Sequence, residues 1–312
     1  MVHRISIPLE RNAAVNVWLL LGQPLTLVDT GPVSDEAHAA LESGLAKVGV
    51  RVEDIELVLV THHHADHSGL AASIQRRAGA QVCAHEELAG YLSHFGERVA
   101  EEKDFFRHFL ADHGVPERLR GTSNGYWRWL DASWENCVVD TPVSDGGTVV
   151  AGGRNLHVLH RPGHSETDTL FLDESGGESF VGDHLLTSPA YAEFGPRTER
   201  PLIRYLDNLR LLAQADLGTL HTGHGDDVVD VPGAVAARIA AAERRCERIT
   251  ELLGEDALTA FDVARALWLG DRVEWDPVLT VSEVVAHLEL LVERGDVCEE
   301  AGSVRRFSAA RR

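Results

Sequence analysis

Short apolar runs punctuated by glycine, proline and histidine recur through the first three quarters of the chain. Glu56-Leu57-Val58-Leu59-Val60 has the length and branched composition of a buried strand, and Leu70-Ala71-Ala72-Ser73-Ile74 has helical spacing, so a strand-to-helix loop joins them. Asn155-Leu156-His157-Val158-Leu159-His160 reads as another strand and runs into Arg161-Pro162-Gly163-His164. Glu178-Ser179-Phe180-Val181-Gly182-Asp183 and Gly218-Thr219-Leu220-His221-Thr222-Gly223-His224 repeat that arrangement. Strands alternating with helical patterns predict an α/β class.

From about Glu86 to Glu135 the rhythm breaks. Tyr91, Phe95, Phe105, Phe106, Phe109, Tyr126, Trp127, Trp129 and Trp134 gather nearly half of the aromatic residues there. Phe105 and Phe109 lie one helical turn apart, and Gly114, Pro116, Gly121 and Gly125 punctuate the segment, which predicts a helical insertion. After Pro232 the pattern changes again. Ala234 to Leu253 reads as a connecting helix, Leu258–Leu267 and Val281–Arg294 as two more, and Gly295–Phe307 as a hairpin.

The loop Thr61-His62-His63-His64-Ala65-Asp66-His67-Ser68-Gly69 places four imidazoles and a carboxylate together. Imidazole and carboxylate are the ligands that Zn, Fe and Mn accept, and residues two apart on an extended loop can face one site. His164, Asp183 and His224 each follow a strand of their own, so four loops carry candidate ligands.

With these residues in view, the chain resembles the metallo-β-lactamase superfamily through His62, His64, Asp66 and His67 and the later His164, Asp183 and His224, over about residues 3 to 230. Leu27-Val28-Asp29-Thr30-Gly31 looks like that family's early strand ending in Asp-Thr-Gly. The resemblance implies a four-layer αββα sandwich with two divalent metal ions, Zn first and Fe or Mn as other candidates. It implies that His62, His64 and His164 hold one ion, that Asp66, His67 and His224 hold the second, and that Asp183 bridges both. Asp29 matches a position that orients a ligand imidazole through its other nitrogen. His160 and His221 precede ligands in their own loops and are expected behind them.

Two such cations ~3.5 Å apart lower the pKa of a shared water and present hydroxide near neutral pH. Asp66 is then placed to orient the nucleophile and handle a proton, with Asp183 as the second catalytic carboxylate. The expected function is hydrolysis of a small hydrophobic ester or thioester, resembling hydroxyacylglutathione hydrolase. A phosphodiesterase or ribonuclease using the same site and a mono-iron persulfide dioxygenase stay open as alternatives. Antibiotic hydrolysis is disfavoured because Asp183 is not Cys and His67 is present, and reductive diiron chemistry because His64 is not Glu. Lactone hydrolases of signalling molecules carry Tyr three residues past the bridging Asp, where Leu186 stands here; Tyr191 is a candidate substitute.

An insertion at residues 86–135 stands beside the metal loops, so Tyr126, Trp127 and Trp129 are candidate substrate contacts in a lid, although most of its rings should simply pack. His184, next to Asp183, is a further substrate candidate. His85, His94, His108 and His113 are expected at the surface or within the hairpin. The predicted organisation is a catalytic domain over 1–232 followed by a connecting helix and a winged-helix-like domain over 233–312, similar to the appendage of some superfamily members.

Charge narrows the partners. A formal charge of −20 repels polyphosphate, and Glu283, Glu289 and Glu293 on the would-be recognition helix face only Arg294, so nucleic acid is disfavoured and a small-molecule substrate expected. The appendage then reads as a structural or dimerising cap, which leaves a homodimer open. Cys83, Cys137, Cys246 and Cys298 form no Cys-x-x-Cys, and no apolar run approaches a membrane span, so a cytoplasmic protein is expected.

Overall fold

The computed structural model describes residues 1–9, 13–121, 124–173, 175, 177–187, 192–254, 257–268, 276–300 and 302–310. Strands β1 (Val2–Pro8), β2 (Ala14–Leu20), β3 (Thr26–Val28), β4 (Leu57–Leu59), β5 (Gln81–His85) and β6 (Thr141–Val143) form one sheet in that spatial order. The first two pairings are antiparallel and the other three parallel. A second sheet runs β11 (Thr219–Thr222), β10 (Glu178–Gly182), β9 (Thr169–Asp173), β8 (Arg154–His160), β7 (Thr148–Ala151), with only β10 and β11 parallel.

Strand parity sorts the apolar side chains into layers. Val28, Leu57 and Leu59 of the first sheet meet Leu156, Val158, Phe171 and Phe180 of the second in one cluster, which is the interface between the sheets. Their chain neighbours Leu27 and Val58 turn the opposite way and pack with Leu41 and Leu45 of α1 (Asp35–Ala46) and Ile74 of α3 (Ala71–Ala78). On the far face of the second sheet, Leu170, Leu172, Val181 and Leu220 pack against α7 (Pro201–Leu212) and α8 (Val231–Leu252). The order helix, sheet, sheet, helix is the expected αββα sandwich.

Local chemistry sets the helix ends. Ser34 accepts from the Ala37 amide at the start of α1, Thr259 and Asp262 form a capping box on α9 (Ala260–Leu267), and Gly79 closes α3 at φ 70°. The aromatic segment between β5 and β6 is helical as expected: α4 (Glu86–Ser93), α5 (Phe95–Asp112) and α6 (Asn124–Ala132). Phe106, Phe109 and Leu110 join the far-side cluster, whereas Tyr91, Phe95 and Leu130 join the near-side one, so the insertion wraps one end of the sandwich.

The C-terminal residues give α9, α10 (Pro277–Arg294) and a hairpin of β12 (Val297–Glu300) and β13 (Arg306–Ala309). Helix α10 starts before Val281 because Asp276 caps it and Pro277 suits a first helical turn. Val281, Val284, Leu288 and Leu291 of this helix share one apolar cluster with the second sheet's helices. Two of the histidines expected at the surface or within the hairpin are buried. His85 caps α4, its ring accepting from the Glu87 amide, and stacks on His160 at 4.0 Å, and His113, at the end of α5 within the insertion, packs against Phe109 and Phe307. No described helix is long and apolar enough to cross a membrane.

Candidate metal centre

Every predicted ligand lies just past the C-terminal end of a strand, on one edge of the sandwich: residues 62–67 after β4, His164 after β8, Asp183 after β10 and His224 after β11. The first loop is extended through His64 and then turns into the one-turn helix α2 (Ala65–Ser68), which carries Asp66 and His67 and sets the His67 ring against that of His62, with centroids 4.2 Å apart. Backbone bonds knit these edges together: Asp29 N donates to Leu59 O, Asn16 N to Gly223 O and Gly223 N to Gly182 O, all within 2.8 Å. Gly223 is required at this junction. A Cβ there would collide with Asp183 Oδ1 and His67 Cε1.

The side chains converge as two triads. His62 Nε2 lies 3.0 Å and His164 Nε2 3.1 Å from His64 Nδ1. His224 Nε2 lies 3.3 Å from His67 Nε2 and 3.2 Å from Asp66 Oδ2. Asp183 stands between them, Oδ1 3.5 Å from His67 Nε2, Oδ2 3.6 Å from His164 Nε2 and 3.4 Å from His224 Nε2. His62, His67 and His164 are buried, as is Asp183, whose Oδ1 has no hydrogen-bond partner among the described residues.

The second nitrogen of four of these rings is already engaged. His67 Nδ1 donates to Asp29 Oδ2 at 2.9 Å, His224 Nδ1 to Ala14 O at 2.7 Å, and His64 Nε2 to Glu193 Oε1 at 3.2 Å. Thr61 Oγ1 donates to Asp29 Oδ2 at 2.8 Å, so it accepts from His62 Nδ1 at 3.0 Å. In that tautomer set the inward nitrogens are all lone pairs. Lone pairs facing each other at 3.0 Å repel unless a cation or proton lies between them, and the donor set of imidazole and carboxylate fits a divalent transition metal.

Electrostatics without a cation point the same way. Burial alone would depress His224, but Asp183 and Asp66 overcome it and raise its pKa to about 10. Burial would likewise depress His64, but Glu193, Asp66 and Asp183 outweigh it and raise its pKa to about 9. His62 is pushed well below its ordinary value by burial and by His67 and His64. Below pH 9 the raised rings carry protons that an incoming cation must displace. Zinc affinity is therefore expected to climb with pH up to about 9 by more than one decade per unit. Titration calorimetry at pH 7.5 in buffers of different ionisation enthalpy should show at least two protons released per chain, from His64 and His224, with His67, which Asp183 and Asp66 also raise against burial, adding to them.

Asp29 is 1% exposed and adopts φ 59°, a left-handed conformation uncommon for a side-chain-bearing residue. Its carboxylate accepts from Thr61 N, Thr61 Oγ1 and His67 Nδ1. Asp29→Ala should cost about 3 kcal/mol of stability by leaving these buried donors unpaired. Asn, which tolerates this backbone, should cost less; denaturant melts of both variants check the order.

Other predicted residues fall elsewhere. His160 bonds Glu166 O through Nε2 and stacks on His85. His221 is buried between the sheets against Trp18 at 4.2 Å and Phe180 at 5.2 Å. His184 is fully buried, its Nδ1 3.3 Å from Asp168 Oδ2 and its ring against Tyr205, so it does not face an open site. The chain folds it inward because the turn after Gly182 points Asp183 and His184 in opposite directions. Tyr191 lies outside the described residues. Tyr126, Trp127 and Trp129 do line a cavity of about 270 Å³ with His64, Asp66 and His164.

Two acids were not singled out by sequence. Asp168 accepts from His164 N at 2.8 Å, from Ser165 N and from Ser165 Oγ, and it contacts His184, so it fixes the His164 loop against the Asp183 loop. The run of polar residues after His164 was its only signal. Glu193 approaches His64 and, at 3.4 Å, His63, whose ring stacks on Tyr91 at 4.1 Å. Burial would raise its pKa, but His64 and His63 outweigh that and hold it below the ordinary carboxylate range. It sits in irregular chain with no motif to mark it.

Residues 11–224 match the protein-family description Metallo-beta-lactamase superfamily. The probable metallo-hydrolase YqjP of Bacillus subtilis (strain 168) is 31% identical over 290 residues, 89% of this chain and 87% of that protein. The crystal structure of metallo-beta-lactamase family protein TTHA1429 from Thermus thermophilus aligns with a TM-score of 0.83 at 28% identity, covering 99% of this chain and 98% of that one. An atrochrysone carboxyl ACP thioesterase of Aspergillus fumigatus is 23% identical over 235 residues; the match spans 74% of this chain and 42% of that protein.

Proposed function

The chain belongs to the metallo-beta-lactamase superfamily, and from that premise we propose that it hydrolyses a small ester or thioester bearing an apolar group, using two divalent metal ions. The observation that carries this reading is the set of seven convergent donors, four of them imidazoles whose outer nitrogens are held by Asp29, Thr61, Glu193 and Ala14, beside a cavity lined by aromatic rings. His62, His64 and His164 would hold one ion, Asp66, His67 and His224 the other, and Asp183 both. Bound there, the ions supply a polarising contact for the carbonyl oxygen and a water nucleophile acidified to near neutrality.

The protein's own groups do the rest. Asp66, a ligand that also lines the cavity, reaches both a bound substrate and His224, and is positioned to orient the nucleophile and pass a proton to the leaving group. Asp183 holds the two triads in register from a buried position. Phe106, Tyr126, Trp127 and Trp129 exclude bulk water and seat the apolar group. Among the described residues the lining contains no Lys or Arg and includes Glu102, Glu193 and Glu283, which disfavours a phosphodiester. The thioesterase named among the relatives supports a thioester as the first substrate to try.

Acyl thioesters, aryl esters, lactones and a short RNA, assayed on Zn-loaded and Mn-loaded protein, test the reading. Turnover of thioesters or esters is expected; cleavage of the RNA alone would overturn it. With the true substrate, combined Ala replacement of Tyr126, Trp127 and Trp129 should raise KM roughly tenfold or more, since each buried ring contributes about 1.5 kcal/mol or more of apolar contact. An unchanged KM in a folded variant would show that these rings only pack.

A further inference from the structure

Two properties of the cavity go beyond what ester hydrolysis requires. The first is size. A dry cavity of roughly 150 Å³ accepts one benzene ring, so about 270 Å³ has room for one substituted ring or two fused rings, and a long acyl chain would have to run on past its mouth. The walls suit a planar guest: Tyr126 and Trp127 centroids are 5.0 Å apart at 64°, and Phe106 lies 6.0 Å from Trp127 at 47°, leaving faces and edges at different inclinations.

The second is the wall contributed by α10. Val278, Leu279, Ser282 and Glu283 reach the cavity from the C-terminal segment, outside the residues that match the superfamily. Ser282 is 6% exposed, and its Oγ is closed off in this rotamer with no hydrogen-bond partner among the described residues, so a turn about χ1 toward the cavity would let a bound molecule supply one. The neighbouring Glu283 carboxylate approaches His287 Nδ1 no closer than 3.9 Å. No described Lys or Arg lines the cavity to offset that carboxylate.

We infer that α10 is a recognition wall for a compact aromatic acyl group, with Ser282 and Glu283 favouring an uncharged or hydrogen-bond-donating outer substituent and rejecting an anionic one. The inference rests on the hydrolase reading for the acyl bond and on the cavity for the ring. Turned about χ1 toward the cavity, Ser282 Oγ offers one hydrogen bond to a ring amine or hydroxyl. Glu283 accepts a second and repels a carboxylate.

The test uses N-acetylcysteamine thioesters of benzoyl, 4-aminobenzoyl, 4-carboxybenzoyl and decanoyl groups on the metal-loaded full chain. Expected kcat/KM values place 4-carboxybenzoyl at least 100-fold and decanoyl at least tenfold below benzoyl, with 4-aminobenzoyl at or above it. Glu283→Gln should raise the ratio of 4-carboxybenzoyl to benzoyl at least tenfold, and Ser282→Ala should lower the ratio of 4-aminobenzoyl to benzoyl. A 4-carboxybenzoyl rate within threefold of benzoyl, or a ratio unmoved by Glu283→Gln, overturns the inference. Binding of benzamide, 4-aminobenzamide and 4-carboxybenzamide, followed by the fluorescence of Trp127 and Trp129, needs no turnover. The same order of affinities without hydrolysis of any thioester would sink the hydrolase reading and keep the ring site. Hydrolysis without that order would do the reverse.

Discussion

Asp183→Ala is expected to lower kcat/KM by roughly a thousandfold or more while the protein stays folded. This carboxylate reaches both triads, with 3.4 to 3.6 Å separating its oxygens from His67, His164 and His224. Loss of a shared ligand removes several kcal/mol of charge stabilisation from the reacting centre, and each 1.36 kcal/mol is a factor of about ten. The fold should tolerate the change. Asp183 Oδ1 accepts no hydrogen bond, and the space beside it is kept open by Gly223 rather than filled by a packed side chain. Circular dichroism and a thermal melt of the variant check folding, and steady-state kinetics with the best thioester check the loss. A variant retaining a tenth of the activity would show that the two triads do not act through Asp183.

Removal of metal is expected to abolish turnover and lower Tm by roughly 10 °C. The metal-free cluster holds its lone pairs and carboxylates together only by protonating rings, which is why His64 and His224 are raised to about 9 and about 10 against the opposing effect of burial. An ion bound only by the folded chain adds about 4 kcal/mol at a thousand times its Kd, and a domain of this size gains about 2–4 °C per kcal/mol. Chelation, dialysis and calorimetry with and without added Zn or Mn measure the difference. Tm values that coincide would mean that the donors do not hold an ion in the folded state.

Much of this site could be read from the chain because each ligand loop follows a short apolar strand, and strand ends in a layered α/β fold converge on one edge. His62 through His67, His164, Asp183 and His224 come together from four such loops. Asp29 was legible for the same reason, as the terminus of β3, although its left-handed backbone was not. What stayed hidden depends on tertiary packing. Glu193 lies in irregular chain, and nothing local places it 3.2 Å from His64. His184 looked like a substrate contact because it adjoins Asp183, yet neighbours on a turn face opposite ways and its ring went into the core. The rings of α6 could be recognised as an insertion, but whether they lined a cavity was decided by α10, more than 140 residues downstream. Helical periodicity marks a face as apolar without naming its neighbour.

Metal content against variants in one triad tests the dinuclear account most directly. Mass spectrometry under native conditions, paired with elemental analysis, should give two divalent ions per chain for the unaltered protein. His224→Ala combined with Asp66→Ala should give one. A single iron per chain, with oxygen consumption in place of hydrolysis and no change in metal content when the second triad is removed, would contradict it.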